Sequence, residues 1–190
     1  MAHQYIPTSV TPHFNQALAA NAAREVHMDK VEFISFENGQ AIKAIGTQNM
    51  NGGTVVAVVS KKGAVLARIP PLPRPTLDPN VGINNVREKM AEFVDHLTNH
   101  RELCGPERKM SLIVCAVWLA EAALPHHIQV INTILRDKLE HHPQPQIWPY
   151  EVRPGGQIQA NQGTVFIDGR NGVPQVYVEN RKVYWDEMLS

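Results

Sequence analysis

The chain has 190 residues, of which 43% are hydrophobic and 19% charged, a composition typical of one globular domain with a buried core. Lys and Arg together number 18, as do Asp and Glu, so the formal net charge is zero. A neutral chain lacks the basic surface that binding to phosphate backbones or to an anionic membrane requires. We therefore expect neither a nucleic-acid partner nor a membrane partner.

The number of cysteines and the N-terminal residues indicate the cellular compartment. Cys104 and Cys115 are too few for a disulfide framework, which favours a reducing environment. Residues 1–9 contain no cationic start followed by an apolar stretch, so we expect no secretory signal. The longest apolar run, 112–120, has about half the length of a membrane helix. These features predict a soluble, cytoplasmic protein.

The first thirty residues resemble a peripheral arm more than part of a core. Phe14, Leu18 and Ala22 fall on one helical face, and the alanines around them favour helix. Few large apolar side chains accompany them, so we expect residues 1–28 to be dispensable for folding. The predicted organisation is an N-terminal arm, 1–30, followed by a single domain, 31–190.

Four β-rich stretches follow the arm. Residues 31–36 end before the turn signal Asn38-Gly39, after which 41–47 can return as a second strand. The stretches 54–60 and 64–69 flank a short glycine-containing turn and predict a hairpin. Prolines follow this hairpin and end it, because proline cannot donate a hydrogen bond to a central strand.

A helix, a buried strand and a second helix are predicted next. Apolar residues three or four positions apart between 83 and 97 indicate an amphipathic helix. The continuous apolar run 112–119 is typical of a central strand covered on both faces, since a half-exposed strand alternates. Pro125 fits the first turn of the second helix, where its missing N–H leaves no bond unmade. The predicted buried stripe of that helix is Ile128, Ile131, Leu135 and Leu139.

Short strands complete the chain. Residues 147–152 are interrupted by Pro149 and indicate an edge strand, while 164–168 and 173–178 indicate a second hairpin. We expect Tyr184 and Trp185 to hold down the C-terminus. Helices and strands must cover one another's apolar faces. The predicted fold class is therefore α/β (α+β), a layered sandwich in which helices pack on a mixed, mostly antiparallel sheet.

Histidine and cysteine side chains suggest chemistry that their positions do not favour. The pairs His126-His127 and His141-His142 are roughly 22 Å apart if one helix joins them, so a single ion cannot bridge them. We predict solvated helix ends, no metal site and no cofactor. Cys115 lies inside the apolar run, where a thiol behaves as a small hydrophobic group rather than as a nucleophile.

Gly52 and Gly53, just before the strand that begins at Thr54, are the most suggestive feature. Backbone N–H groups at glycine can approach an anion or an oxyanion closely. No Gly-x-Gly-x-x-Gly pattern and no phosphate-loop lysine follows, so a nucleotide is not predicted. The pattern is that of a glycine turn entering a strand, with the capacity to bind a ligand.

The same stretch carries a resemblance to a known family. Gly53-Thr-Val-Val-Ala-Val, the turn Lys61-Lys62-Gly63 and the return strand ending in Ala67-Arg68-Ile69-Pro70 resemble the core of the CheD family of chemoreceptor glutamine deamidases. In that family a Gly-Ser-Cys opens the strand, and an Ala-His precedes a proline-ended segment. The order of elements across 31–180 is also similar. The resemblance implies a layered α/β fold of the CheD type.

The resemblance also implies that both catalytic side chains are replaced. It places the family's nucleophilic cysteine at Thr54 and its histidine at Arg68, with Thr47 as the approximate counterpart of a third position. A guanidinium accepts no proton, so Arg68 cannot activate Thr54 as a histidine activates a thiol. What Arg68 can do is hold an anion or a carboxylate beside Gly52 and Gly53.

Two functions remain open at this point. The first is a non-catalytic protein-interaction or small-ligand-binding module, a possible homodimer, whose partner or ligand is unknown. The alternative is an amide hydrolase or glutamine deamidase rebuilt around Thr54, Arg68 and Thr47. A histidine beside the Thr54 hydroxyl would favour the enzyme, and the candidates are His96, His100, His126 and His127. Gly53-Thr54 also resembles the start of an N-terminal-nucleophile hydrolase, but the flanking elements do not fit.

Overall fold

The computed structural model describes residues 11–100, 109–139, 144–152, 155 and 162–184. Three helices lie in this part of the chain: α1 (His13–Ala19), α2 (Val81–Asn99) and α3 (Pro125–Lys138). The strands are β1 (Arg24–Glu25), β2 (Lys30–Ser35), β3 (Ala44–Thr47), β4 (Thr54–Ser60), β5 (Gly63–Ile69), β6 (Met110–Trp118), β7 (Glu121–Ala122), β8 (Gln146–Glu151), β9 (Val165–Asp168), β10 (Gln175–Val178) and β11 (Arg181–Val183).

The strands form two sheets, which we call sheet A and sheet B. Sheet A has the order β1-β3-β9-β10-β11. Sheet B has the order β2-β5-β4-β6-β7, and β8 pairs with β6 as well. All pairs are antiparallel except β1 with β3 and β6 with β8. The predicted α+β sandwich with mostly antiparallel pairing is thereby confirmed, in the form of two sheets rather than one.

Apolar side chains form two large cores, which separate three layers: sheet A, sheet B, and the helices α2 and α3. The first core lies between the sheets, and Val55, Ala57 and Val59 of β4 contribute to it. The second lies between sheet B and the helices α2 and α3, and it receives the intervening Val56 and Val58. We call the face of sheet B that packs on sheet A the sandwich face, and the face that packs on α2 and α3 the helix face. Successive residues of a strand point to opposite faces, so each β4 side chain lies on one of these two.

Most of the elements predicted from local patterns are confirmed. The hairpin of β4 and β5, the helices α2 and α3, the edge strand β8 and the hairpin of β9 and β10 are all present. Strand β6 is buried on both faces from Met110 to Ala116, as its continuous apolar run predicts. Its end emerges from the core, where Trp118 is 46% exposed and Leu119 83%.

The expected return of the chain at Asn38-Gly39 is wrong. Strand β2 pairs with β5 in sheet B, whereas β3 pairs with β9 in sheet A. Gly39 does adopt the positive φ of +93° that favours glycine in turns. The turn therefore carries the chain from sheet B to sheet A. There β3 pairs with β9 and is buried along its whole length.

The N-terminal residues from 11 onward contribute to the core more than their sequence suggests. Phe14 is 1% exposed and packs on Phe166 with ring centroids 5.4 Å apart. Gly46 makes room for this ring, because a Cβ there would lie 2.8 Å from it. Strand β1 then pairs with β3, and Val26 is buried between the sheets. We therefore revise the expected dispensability of residues 1–28 for those from 11 onward.

Two smaller expectations also differ. Tyr184 is 62% exposed, so its ring is not anchored in the core, while Trp185 lies outside the described residues. The α3 stripe comprises Ile131, Leu135 and Leu139 as predicted, with Ile128 only half-buried. Among the helices that the structure describes, none is long and apolar enough to cross a membrane.

Replacing Ile113, which is fully buried in the helix-face core, by Asp tests the position of β6. The buried unpaired charge should lower the free energy of unfolding by about 4 kcal/mol or more. Urea denaturation followed by circular dichroism measures this loss. The matched control is Val173→Asp at a more exposed apolar site, which should cost less than about 1 kcal/mol. Equal effects of the two substitutions would contradict the buried position.

Replacing Phe14 by Ala tests the contribution of the N-terminal residues. Loss of this buried ring should lower the free energy of unfolding by about 3 kcal/mol. The half-buried Leu18, on the same helix, gives the control Leu18→Ala, for which we expect a smaller loss. A Phe14→Ala loss below about 1 kcal/mol would restore the expectation that residues 1–28 are dispensable.

Candidate functional site

The glycine-containing segment lies at one end of the sandwich. Residues 48–53, which we call the glycine loop, connect β3 of sheet A to β4 of sheet B. Because its two ends belong to different sheets, the loop crosses the gap between them. All five residues predicted for the site, Thr47, Gly52, Gly53, Thr54 and Arg68, lie in this loop or on the strands beside it.

Arg68 ties the loop and sheet A to sheet B. It pairs with Val55 across the β4–β5 ladder, and since Val55 is in the sandwich core, the Arg68 side chain is on the sandwich face. Its Nη1 donates a hydrogen bond to Thr47 Oγ1 at 3.1 Å, and its Nη2 donates to the Asn49 carbonyl at 3.3 Å. Thr47 Oγ1 in turn donates to the Val26 carbonyl at 2.8 Å. Two of the predicted residues, Thr47 and Arg68, are therefore in direct contact.

Tyr150 of β8 holds the other end of the loop. Its hydroxyl donates to the Gly53 carbonyl at 2.7 Å and accepts a hydrogen bond from the Gly52 N–H at 3.0 Å. Burial raises the pKa of Tyr150 to about 12, so the phenol is neutral at pH 7 and can both donate and accept. The Gly52 N–H, which the sequence offers to an anion, is already bonded to this phenol.

The charge of Arg68 is partly desolvated. Burial lowers the pKa of the guanidinium, while Glu25 and Tyr150 act in the opposite direction. The group remains cationic at neutral pH, because the ordinary pKa of arginine lies far above it. A half-buried cation whose two hydrogen bonds go to uncharged oxygens can still gain from an anion.

Thr54 does not share this site. It pairs with Ile69, which belongs to the helix-face core, so Thr54 and Arg68 point to opposite faces of sheet B. Continuing the alternation by one residue places Gly53 on the same face as Arg68. Gly53 has no side chain, and a Cβ there would lie 2.9 Å from the Ile69 carbonyl oxygen. The structure thus does not bring Thr54 and Arg68 together.

The environment of Thr54 contains no histidine bonded to it. Thr54 is 1% exposed, and its Oγ1 has no hydrogen-bond partner among the described residues. His96 and His100 stack on each other at the far end of α2, where Phe33 covers His100. The base that would favour a hydrolase is not in place at this hydroxyl.

The remaining histidines and cysteines divide between solvent, core and undescribed segments. His126 is exposed, whereas His127 is buried, so the predicted solvated helix end is wrong for His127. Its ring lies beside the first turn of α2. His127 is four positions before Ile131, so helical periodicity places it on the buried stripe of α3. His141-His142 and Cys104 lie outside the described residues. Where the chain is described, His, Cys, Asp and Glu side chains form no group of three that could hold a metal ion.

Tyr150 is the site residue that sequence reasoning misses. It is separated from Gly52 by 98 positions. Burial alternates along its strand, but polarity does not, since the apolar Ile147 is exposed and the polar Gln146 is half-buried. Glu25 is likewise brought near the site by the pairing of β1 with β3. No local signal identifies Tyr150 or Glu25, because their positions depend on long-range strand pairing, whereas Asn49 lies in the glycine loop itself.

Comparison with known proteins adds no assignment. No protein-family model matches the chain, and the search of curated proteins yields no match either. The resemblance to the CheD family therefore stays a prediction that rests on the residues quoted for it.

Replacing Tyr150 by Phe tests how the loop is held. Removal of the hydroxyl leaves the Gly52 N–H and the Gly53 carbonyl without their partner, and should cost about 1–3 kcal/mol of unfolding free energy at pH 7. The control is Tyr184→Phe at an exposed phenol, which should cost almost nothing.

The same two variants should also differ in how steeply their unfolding free energy falls at high pH. The unfolded phenol ionises near pH 10.0, but folded Tyr150 stays neutral until about pH 12. Its contribution is therefore complete below pH 10 and is lost between pH 10 and 12, by roughly 2–3 kcal/mol. Urea titrations across this range should show a shallower decline for Tyr150→Phe than for Tyr184→Phe. Parallel declines would contradict the raised pKa.

Proposed function

We propose that this chain is a non-catalytic binding module that holds a small carboxylate ligand at Arg68. The observation that carries the proposal is the position of Arg68 at the end of the sandwich, half-buried and bonded to the uncharged oxygens of Thr47 and Asn49. A guanidinium offers five N–H donors in a fixed fork, which matches the two oxygens of a carboxylate. The glycine loop would form the floor of this site.

The hydrogen bonds that hold both ends of the glycine loop support a binding role. Tyr150 and Arg68 fix the loop before any ligand arrives, so little ordering is required on binding. Glu25 lies near enough to influence the guanidinium and would disfavour a ligand with a second negative charge beside it. A carboxylate attached to a longer, uncharged body is the ligand class that fits these features.

The geometry gives the site no nucleophile on the Arg68 face. The neighbouring position in the loop is Gly53, and the Thr47 hydroxyl is engaged by Arg68 and by the Val26 carbonyl. The phenol of Tyr150 stays protonated at neutral pH. These features favour binding over the alternative, an amide hydrolase rebuilt around Thr54.

The proposal includes a CheD-like scaffold and a cytoplasmic location. The layered arrangement, with a helix-covered sheet B and the β4–β5 hairpin beside the glycine loop, is compatible with that family's fold. Cys115 is a free, buried thiol, as is usual in a reducing compartment. Restoring activity with Thr54→Cys and Arg68→His together is expected to fail, because the two side chains point to opposite faces.

Replacing Arg68 by Ala tests the binding site. With hexanoate, a monocarboxylate on an uncharged chain, as the probe in isothermal titration calorimetry, Arg68→Ala should weaken binding at least tenfold, since a charged hydrogen bond is worth about 1.5–3 kcal/mol. The matched control is Arg87→Ala on α2, an exposed arginine that bonds to Asn84 of its own helix. It should bind hexanoate as the unmodified chain does. Equal binding by the two variants would show that Arg68 is not the recognition group.

An ammonia-release assay on a glutamine-bearing protein tests the hydrolase alternative. We expect no ammonia above background from the unmodified chain. Ammonia release that Thr54→Ala abolishes would make the hydrolase the correct function and the binding module the wrong one.

A further inference from the structure

A second group of polar side chains lies on the helix face of sheet B, where α2 and α3 both begin. Helix α2 follows the proline-rich segment after β5, and α3 follows β7, which the bond from the Ala123 N–H to the Ala116 carbonyl holds against β6 at 2.9 Å. A Cβ on Gly82 would lie 3.3 Å from His127 Nε2. The first turns of the two helices are therefore in contact through the His127 ring.

Neither helix start is capped by the side chain of its own N-cap residue. At α2, Asp78 accepts hydrogen bonds from the Asn80 N–H through its carboxylate, at 2.9 Å, and from the Val81 N–H through its carbonyl, at 3.4 Å. The N-cap residues Asn80 and Leu124 make no side-chain capping bond, and neither helix has an acidic residue in its first turn. The first N–H groups of a helix have no carbonyl partner within it and carry partial positive charge. Two such starts side by side favour a negative charge between them.

Two buried polar side chains at this end of the sheet have no partner. His127, in the first turn of α3, is 7% exposed, and its Nδ1 makes no hydrogen bond within the described ranges. Thr54 is 1% exposed, and its Oγ1 likewise has no hydrogen-bond partner among the described residues. Buried polar atoms in folded proteins are nearly always hydrogen-bonded. Thr54 pairs with Ile69, and a Cβ on Gly82 would lie 2.8 Å from the carbonyl oxygen of Pro71, two residues after Ile69, so both unpartnered groups are at the end of sheet B where α2 begins. They are independent observations that point to a ligand.

The register places Thr54 in this layer. Val55 pairs with Val114, so the next position along the ladder sets Thr54 opposite Cys115. Thr54 and Cys115 lie on the same face as Val56 and Ile113, which pack against the helices. Burial raises the pKa of the Cys115 thiol. The thiol is therefore neutral at pH 7 and does not repel an anion.

We propose that Thr54, His127 and the first turns of α2 and α3 form a binding site for a small carboxylate. The Thr54 hydroxyl and an imidazole N–H would donate to its oxygens, together with the N–H groups of the helix starts. This site is on the opposite face of sheet B from Arg68, so it is independent of the carboxylate site proposed at Arg68.

Formate is a suitable probe, because it is the smallest carboxylate and the surroundings are tightly packed. The titration is made in the Arg68→Ala background, which removes the other candidate carboxylate site. At constant ionic strength, formate should raise the thermal unfolding midpoint of Arg68→Ala. Adding Thr54→Val replaces the hydroxyl by a methyl of similar size. It should raise at least tenfold the formate concentration needed for the same increase in the midpoint.

Thr164 supplies the matched control, because its Oγ1 is also buried and unpartnered but it lies beside β9 of sheet A. Adding Thr164→Val to Arg68→Ala should leave the formate response intact. If Thr54→Val and Thr164→Val both raise the midpoint without any dependence on formate, both hydroxyls are merely unsatisfied and the proposal is overturned. A formate response that survives Thr54→Val also overturns it.

A second measurement needs no threonine substitution, so it remains informative if Thr54→Val fails to fold. In the Arg68→Ala protein, formate should shift the imidazole ¹H–¹⁵N resonances of His127 and leave those of His96 unchanged. Unchanged His127 resonances at saturating formate would overturn the proposal. Because Arg68 is absent throughout, a negative result here does not bear on the site proposed at Arg68, and a negative result at Arg68 does not bear on this site.

Discussion

Coverage of sheet B on both faces is the constraint on which the rest of the structure depends. Sheet A packs against one face and the helices against the other, so β4 and β6 carry apolar side chains in both directions. A slip of one residue would exchange the two sets of side chains, which differ in shape and partners. The register is therefore strongly fixed, and with it the face to which each polar residue at the strand ends is assigned.

This constraint divides the polar residues near the glycine loop into two groups. Arg68 falls on the sandwich face with Thr47 and Tyr150, whereas Thr54 falls on the helix face with Cys115. Neighbouring positions in the sequence thus serve different layers. The Gly53 carbonyl is bonded to Tyr150 inside the sandwich, while the very next side chain points towards the helices.

Local patterns predict those parts of the fold whose partners are close in sequence. The β4–β5 hairpin and the stripes of α2 and α3 follow from turn chemistry and helical periodicity, and β6 follows from its continuous apolar run. The pairing of β3 with β9 spans more than a hundred residues and leaves no local signal. The Asn38-Gly39 turn has the same chemistry whether the chain returns to its own sheet or crosses to another.

The candidate site was predictable to the same extent. Glycines before a strand and an arginine on the return strand identify the right end of the molecule, and Thr47 with Arg68 is a true contact. Sequence alone does not fix which of Gly53 and Thr54 faces Arg68, because that depends on the parity of the register. The positions on the β4 side that face Arg68 are residue 55, which is the buried Val55, and residue 53, where the Ile69 carbonyl leaves no room for a Cβ without a backbone shift. The same close packing that places Arg68 at the end of the sandwich thus opposes rebuilding a hydrolase beside it.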